Sequence, residues 1–241
     1  MRILISAATA ALLAFGCLSA SAATVTTTLD LLPLSATENT LRITLLVGGM
    51  AVGFDDTDLS GTMDVSLEID ATNTVTAFRM TGGTFAGTDW TIPLGGGLAV
   101  NATGTGGTFI TPGMMASPVT GTSYDAAEHD IIINQGIVNA PGAMFDFSQP
   151  GEALTESGTG MGSLVLTPTA NPQEFDLRVN FPLSFISDID ATTQLQIVGT
   201  VVGQGVVAVP EASSFVMLSV IVGGGGLVRM RRRRQQTVAA G

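Results

Sequence analysis

The chain of 241 residues has no lysine, one histidine, one cysteine, one tryptophan and one tyrosine. Each scarcity removes a class of function. The single Cys17 lies in the N-terminal apolar stretch, and once that stretch is removed no disulfide, thiolate nucleophile or cysteine-based metal centre is available. The formal net charge is -11, and the imbalance is steeper in the middle of the chain. Between residues 23 and 208 only Arg42, Arg79 and Arg178 stand against 19 carboxylates. An acidic surface of this kind repels nucleic acid and anionic membranes, so DNA or RNA binding is excluded, and it attracts cations and basic partners. Trp90 and Tyr124 are too few to build the aromatic platforms on which sugar rings stack in most polysaccharide clefts.

What is present begins with an export signal. Met1-Arg2, the apolar Ile3 to Phe15 and the small-residue sequence Ala20-Ser21-Ala22 make a signal peptide of residues 1–22, with signal peptidase as its processing enzyme and Ala23 as the first mature residue. A small residue before Cys17 also suits lipoprotein processing, which Phe15 and the lack of a leucine three positions before the cysteine disfavour.

At the other end, Val209-Pro210-Glu211 is followed by the apolar run Phe215 to Val228 and by Arg229, Arg231, Arg232, Arg233 and Arg234. A membrane helix needs about 20 residues, and Ala212 to Val228 falls slightly short. Four consecutive glycines, Gly223 to Gly226, weaken it further. The arginines hold the C-terminus, including residues 235–241, in the cytoplasm, giving an N-out, C-in orientation. This order of motif, short helix and basic cluster over residues 209–234 resembles the PEP-CTERM sorting signal, with Ala212 where a second proline is usual. The resemblance implies processing by an exosortase-type membrane protease, transient anchoring in the inner membrane, a final place at the cell surface or outside the cell, and a setting of exopolysaccharide or biofilm. A plain single-span anchor is the competing reading of the same residues.

Between these signals, residues 23–208 read as one all-β domain. Threonine, valine and isoleucine alternate with polar residues, broken every ten residues or so by Gly, Asn, Pro or Asp. Thr24 to Leu31 and Thr40 to Val47 are expected strands joined by a turn at Ser35 to Asn39. Thr62 to Asp70, a turn at Ala71-Thr72-Asn73 and Thr74 to Thr81 form an expected hairpin, echoed by Gly162 to Thr167, Ala170-Asn171-Pro172 and Glu174 to Phe181. Strands are also expected at Thr108 to Thr111, Asp130 to Val138, Thr192 to Val202 and Gly205 to Val209, with loops at Gly95 to Gly97 and Gly104 to Gly107. Phe145, Phe147, Phe175, Phe181 and Phe185 are the expected core aromatics, and Trp90 is a plug at a strand end. Many short strands with regular turns point to an antiparallel β-sandwich, with the jelly roll as one variant.

Candidate chemistry is sparse. His129, between Glu128 and Asp130, is expected as a solvated turn residue with a raised pKa, and no Gly-x-Ser-x-Gly elbow accompanies it. Gly104-Thr105-Gly106-Gly107 and Gly158-Thr159-Gly160 lack the strand and helix that would make them phosphate loops and read as turns. Asp56, Asp58 and Ser60 before Gly61 place oxygens at alternate positions, as a calcium-binding turn does, although Leu67 stands where an EF-hand needs a glutamate. Asp188 and Asp190 join them only if the fold brings them near. Asn101-Ala102-Thr103 is a lone glycosylation sequon. The expected function is structural or adhesive and non-enzymatic, with exopolysaccharide as a partner. A calcium-dependent carbohydrate-binding module and a polysaccharide-active enzyme are the alternatives.

Overall fold

A computed structural model describes residues 22–32, 37–113, 115–189 and 191–209. The signal peptide up to Ser21, the start of the Ser35 turn, Asp190, and Pro210 with everything after it lie outside the described residues. Fourteen strands follow in chain order: β1 (Ala23–Asp30), β2 (Thr40–Val47), β3 (Met50–Ile69), β4 (Val75–Gly87), β5 (Trp90–Gly95), β6 (Leu98–Ile110), β7 (Ser117–Pro118), β8 (Ser123–Asp125), β9 (Asp130–Ala140), β10 (Ala143–Asp146), β11 (Leu154–Ser157), β12 (Met161–Pro168), β13 (Glu174–Asp188) and β14 (Thr193–Ala208). Among the described residues the one helical piece is a 3-10 turn, Ala126–Glu128. No helix there is long and apolar enough to cross a membrane.

The alternation in the sequence is what makes the strands. In β3, Met63, Val65, Leu67 and Ile69 are buried while Asp64, Ser66 and Glu68 point the other way, because successive side chains leave opposite faces of a strand. Every pairing is antiparallel, in the order β10-β9-β6-β4-β3-β1-β14-β13-β12-β8, with β11 on β9, β5 on β6, β7 on β4, and β2 between β14 and β3. Strands β1 and β2 do not pair with each other. They lie end to end in one lane, β1 beside residues 62–69 of β3 and β2 beside residues 50–58.

The sheet folds over on itself. Strands β4 and β13 are well separated in the strand order, yet Phe78 of β4 lies 5.0 Å from the ring of His129, which in turn lies 6.5 Å from Phe181 of β13. This is an all-β antiparallel arrangement consistent with a sandwich. Both expected hairpins form, β3 with β4 around Asn73 and β12 with β13 around Asn171.

Three expectations are corrected. Gly104 to Gly107 is not a loop but part of β6, where Gly107 lets the strand approach β9 so closely that a Cβ there would lie 1.9 Å from the Ile132 carbonyl oxygen. Residues 192–202 and 205–209 are not two strands, since β14 runs unbroken through Gly203 and Gly205, whose missing side chains make room for Leu29. Of the five expected core phenylalanines, Phe181 is fully buried and the other four are partly buried against the core. Phe78, Phe85 and Phe109 are buried in their place.

Strands β3, β13 and β14 run nearly the length of the domain and define two poles. Because β1 and β14 are antiparallel with Asp30 opposite Gln204, Ala23 and Ala208 end at the same pole. The turns at Asp70 to Thr74 and Thr169 to Gln173 cap that pole. At the opposite pole lie the β2–β3, β5–β6, β9–β10 and β13–β14 turns.

Candidate functional site

Of the predicted sorting motif, Val209 is the described residue. It is buried and its amide donates to the Gln173 carbonyl oxygen at 2.9 Å, continuing the ladder one step past β14. Pro210, Glu211 and the arginine cluster Arg229, Arg231, Arg232, Arg233 and Arg234 lie outside the described residues. The first residue of the motif is therefore still hydrogen-bonded to the domain.

The terminal pole is closed by side-chain oxygens. Asp70 accepts from the Thr72 hydroxyl and from the amides of Thr74 and Thr72, which holds its carboxylate below the ordinary pKa range. Thr169 Oγ1 donates within the partner turn and accepts from the Asn171 amide at 3.1 Å.

Asp56, Asp58 and Ser60 lie in β3, not in a turn, which corrects the sequence reading of this segment. Thr57 and Leu59 face the core, so extended alternation puts the other three on the outer face, about 7 Å apart from one to the next. Each already has a partner on a neighbouring strand. Arg42 Nε donates to Asp56 at 3.0 Å and its guanidinium lies 4.5 Å from the Phe54 ring, Thr40 donates to Asp58 at 2.7 Å, and Ser60 donates to the Ala86 carbonyl oxygen at 3.4 Å. Asp55 is drawn the other way, accepting from the Thr91 amide at 2.7 Å. Among the described residues no group of three or more His, Cys, Asp and Glu is placed to hold a metal ion.

His129 is a second correction. The 3-10 turn, capped by Asp125 accepting from the Ala127 amide, tucks the next residue inward, and the His129 ring is fully buried among Phe78, Tyr124 and Phe181. Desolvation outweighs Glu128, Asp125 and Asp130 and pushes its pKa down to about 4. Its Nδ1 lies 2.6 Å from Thr111 Oγ1, which already accepts from the Met80 amide at 2.8 Å. Thr111 Oγ1 and Nδ1 share one hydrogen bond, and Nε2 is buried without a hydrogen-bond partner. A neutral imidazole without accessible surface is a core residue with no route to a substrate.

Trp90 is buried at the start of β5, as the plug reading requires. It lines an almost wholly apolar cavity of about 60 Å³ with Leu41, Phe85, Ile131, Phe185 and Ile197, a volume that holds no more than a very small apolar guest. Asn101 and Thr103 of the sequon lie on β6.

No protein-family model, curated protein or solved structure matches the chain.

Proposed function

We propose that this is an exported, non-enzymatic β-sandwich protein that an exosortase-type protease processes at a C-terminal sorting signal, and that it serves structurally or adhesively at the cell surface or in an exopolysaccharide matrix. The observation that supports this reading is where the two ends of the described domain lie. Among the described residues, strand β1 begins at Ala23, directly after the predicted signal-peptide site, and the last ladder bond is made by Val209, directly before Pro210-Glu211. Both ends leave from one pole. A chain held by its tail would therefore stand with the other pole outward. The acidic outer surface keeps such a domain soluble.

Intact-mass analysis of the protein recovered from culture medium and envelope of its native host tests this. The expected species starts at Ala23 and ends between Val209 and Ser214. Recovery of membrane-bound chain alone, with the arginine block retained, overturns the sorting reading.

A further inference from the structure

The outer face of β12, β13 and β14 carries a polar cleft. Side chains at alternate positions of β13 leave the core, so Arg178, Asn180 and Pro182 share that face while Val179 and Phe181 are fully buried on the other. Asn180 stands opposite Ser163 of β12 on one side and Val202 of β14 on the other. The chain ahead of β2 comes back to this face, because Asn39 is hydrogen-bonded to Val202. That places Glu38 beside Arg178, whose Nη2 donates to Glu38 Oε1 at 2.6 Å. These residues line a cleft of about 380 Å³, to which Met161 and Pro182 add apolar surface.

Two polar atoms of the cleft residues are left over. Nη1 of Arg178 and Oδ1 of Asn180 are buried without a hydrogen-bond partner, although Nη2 of the same guanidinium and Nδ2 of the same amide are both engaged, the latter with Ser163 Oγ at 2.7 Å. A buried donor and a buried acceptor each forfeit a hydrogen bond that water supplied in the unfolded chain, and native folds keep few such groups without a reason. Both are within reach of a guest. Arg178 retains 28% of its side-chain surface, and the amide torsion of Asn180 is a broad one, so a modest turn costs little.

We propose that this cleft binds a neutral polyhydroxylated ligand, one sugar unit of a glycan, between Arg178 and Asn180. The charges select against the other classes. Glu38 already neutralises Arg178, so an anion gains little from the guanidinium and meets both a carboxylate and the lone pairs of Asn180 Oδ1. A cation suits Oδ1 but faces the guanidinium. A hydroxyl both accepts and donates, and so serves Nη1 and Oδ1 alike. A peptide laid on this face finds no backbone to pair with, since β13 is hydrogen-bonded to β12 on one side and β14 on the other. The volume lies within the range of small-ligand clefts. With no aromatic ring in its lining the cleft reads hydroxyls rather than ring faces, so affinity for a single unit is on the order of millimolar, and strength comes from many copies of the domain on one polymer. This deepens the adhesive part of the function proposed above and rests on it.

Saturation-transfer NMR on the full chain, held in a detergent without a sugar headgroup, tests this with the methyl glycosides of glucose, galactose and mannose and with methyl glucuronide as the charged comparison. At least one neutral glycoside is expected to receive saturation, and more of it than the glucuronide does. Arg178→Lys keeps a cation for Glu38 but has no Nη1, Asn180→Ala removes Oδ1, and Met161→Trp, at a position 63% exposed, fills the cleft without removing a hydrogen bond. Each is expected to reduce the transfer several-fold with the melting temperature kept, and the Met161 variant decides the matter where either of the others fails to fold. No transfer to any neutral glycoside means a cleft that holds water only and overturns the proposal. So does transfer that the folded variants leave unchanged, or a stronger response to the glucuronide. The sorted species can be found by intact mass with the cleft silent, and the cleft can respond in a chain that is never processed, so the two failures are told apart.

Discussion

The side-chain amide of Asn39 pairs with the backbone of Val202 in both directions. Its Nδ2 donates to the Val202 carbonyl oxygen at 3.0 Å and its Oδ1 accepts from the Val202 amide at 2.6 Å. The residue sits in the gap between β1 and β2, where the shared lane has no strand to satisfy β14. Its own amide donates to Thr200 and its carbonyl accepts from Leu59, so one asparagine closes the lane on both sides. Its φ of 57° is one that asparagine tolerates better than most residues. Asn39→Ala leaves a buried peptide unpaired and should cost roughly 2–4 kcal/mol by chemical denaturation. Asn39→Gly keeps the backbone conformation and isolates the amide pair. If the glycine variant is as stable as the wild type, the pairing does not stabilise the fold.

Gly107 argues a different kind of requirement. A Cβ there would meet the Ile132 carbonyl oxygen at 1.9 Å and the Phe85 ring at 2.7 Å, and neither can yield without separating β6 from β9 or β4. Gly107→Ala should therefore lower stability by about 3 kcal/mol or more, or prevent folding. Gly82→Ala is the matched control, since its new methyl would meet chiefly the Asp64 carboxylate at 3.3 Å. Equal melting temperatures for the two variants would refute the account.

Much of the architecture was legible because it is written in period-two alternation. The β3–β4 and β12–β13 hairpins, β2 and β9 could be read directly, as could the Asn73 turn. What escaped reading was glycine with a packing role. Gly104 to Gly107 and the Gly203-Gln204-Gly205 stretch have the composition of loops, and only the partner strand across from them reveals that their missing side chains admit Ile132 and Leu29. His129 escaped for a related reason: its three acidic neighbours in sequence suggest solvent, while the cage of Phe78, Tyr124 and Phe181 is assembled from strands far apart in the chain. Asp56 and Asp58 looked like a turn because acids rarely continue a strand, yet Arg42 and Thr40 on β2 stand opposite them.

That arrangement bears on calcium. With Asp56, Asp58 and Ser60 spaced along an extended strand and already bonded across it, the oxygens do not converge on one point, and coordination at 2.3–2.6 Å by six or more of them is out of reach. Thermal unfolding in millimolar calcium and in chelator should give the same melting temperature to within about 1 °C. A rise of several degrees with calcium, lost in Asp56→Asn, would mean that these side chains rearrange to bind it.

The burial of His129 predicts an acid limit to stability. The folded pKa is lowered to about 4, whereas the unfolded chain takes up the proton near the ordinary 6.5. Above pH 6.5 the ring is neutral in both states and contributes no pH dependence. As pH falls from 6.5 towards 4 the unfolded state binds a proton that the native state refuses, so stability declines by roughly 3 kcal/mol and then levels. Glu128, Asp125 and Asp130 ease the loss slightly by favouring the charged ring, but they stand outside the aromatic cage and do not rehydrate it. In His129→Asn the amide does not titrate, so its stability curve should be flatter than the wild type's across this window, whatever its absolute level. Parallel curves for the two proteins between pH 6.5 and 4 would show that the imidazole is hydrated in the native state and that the cage is open.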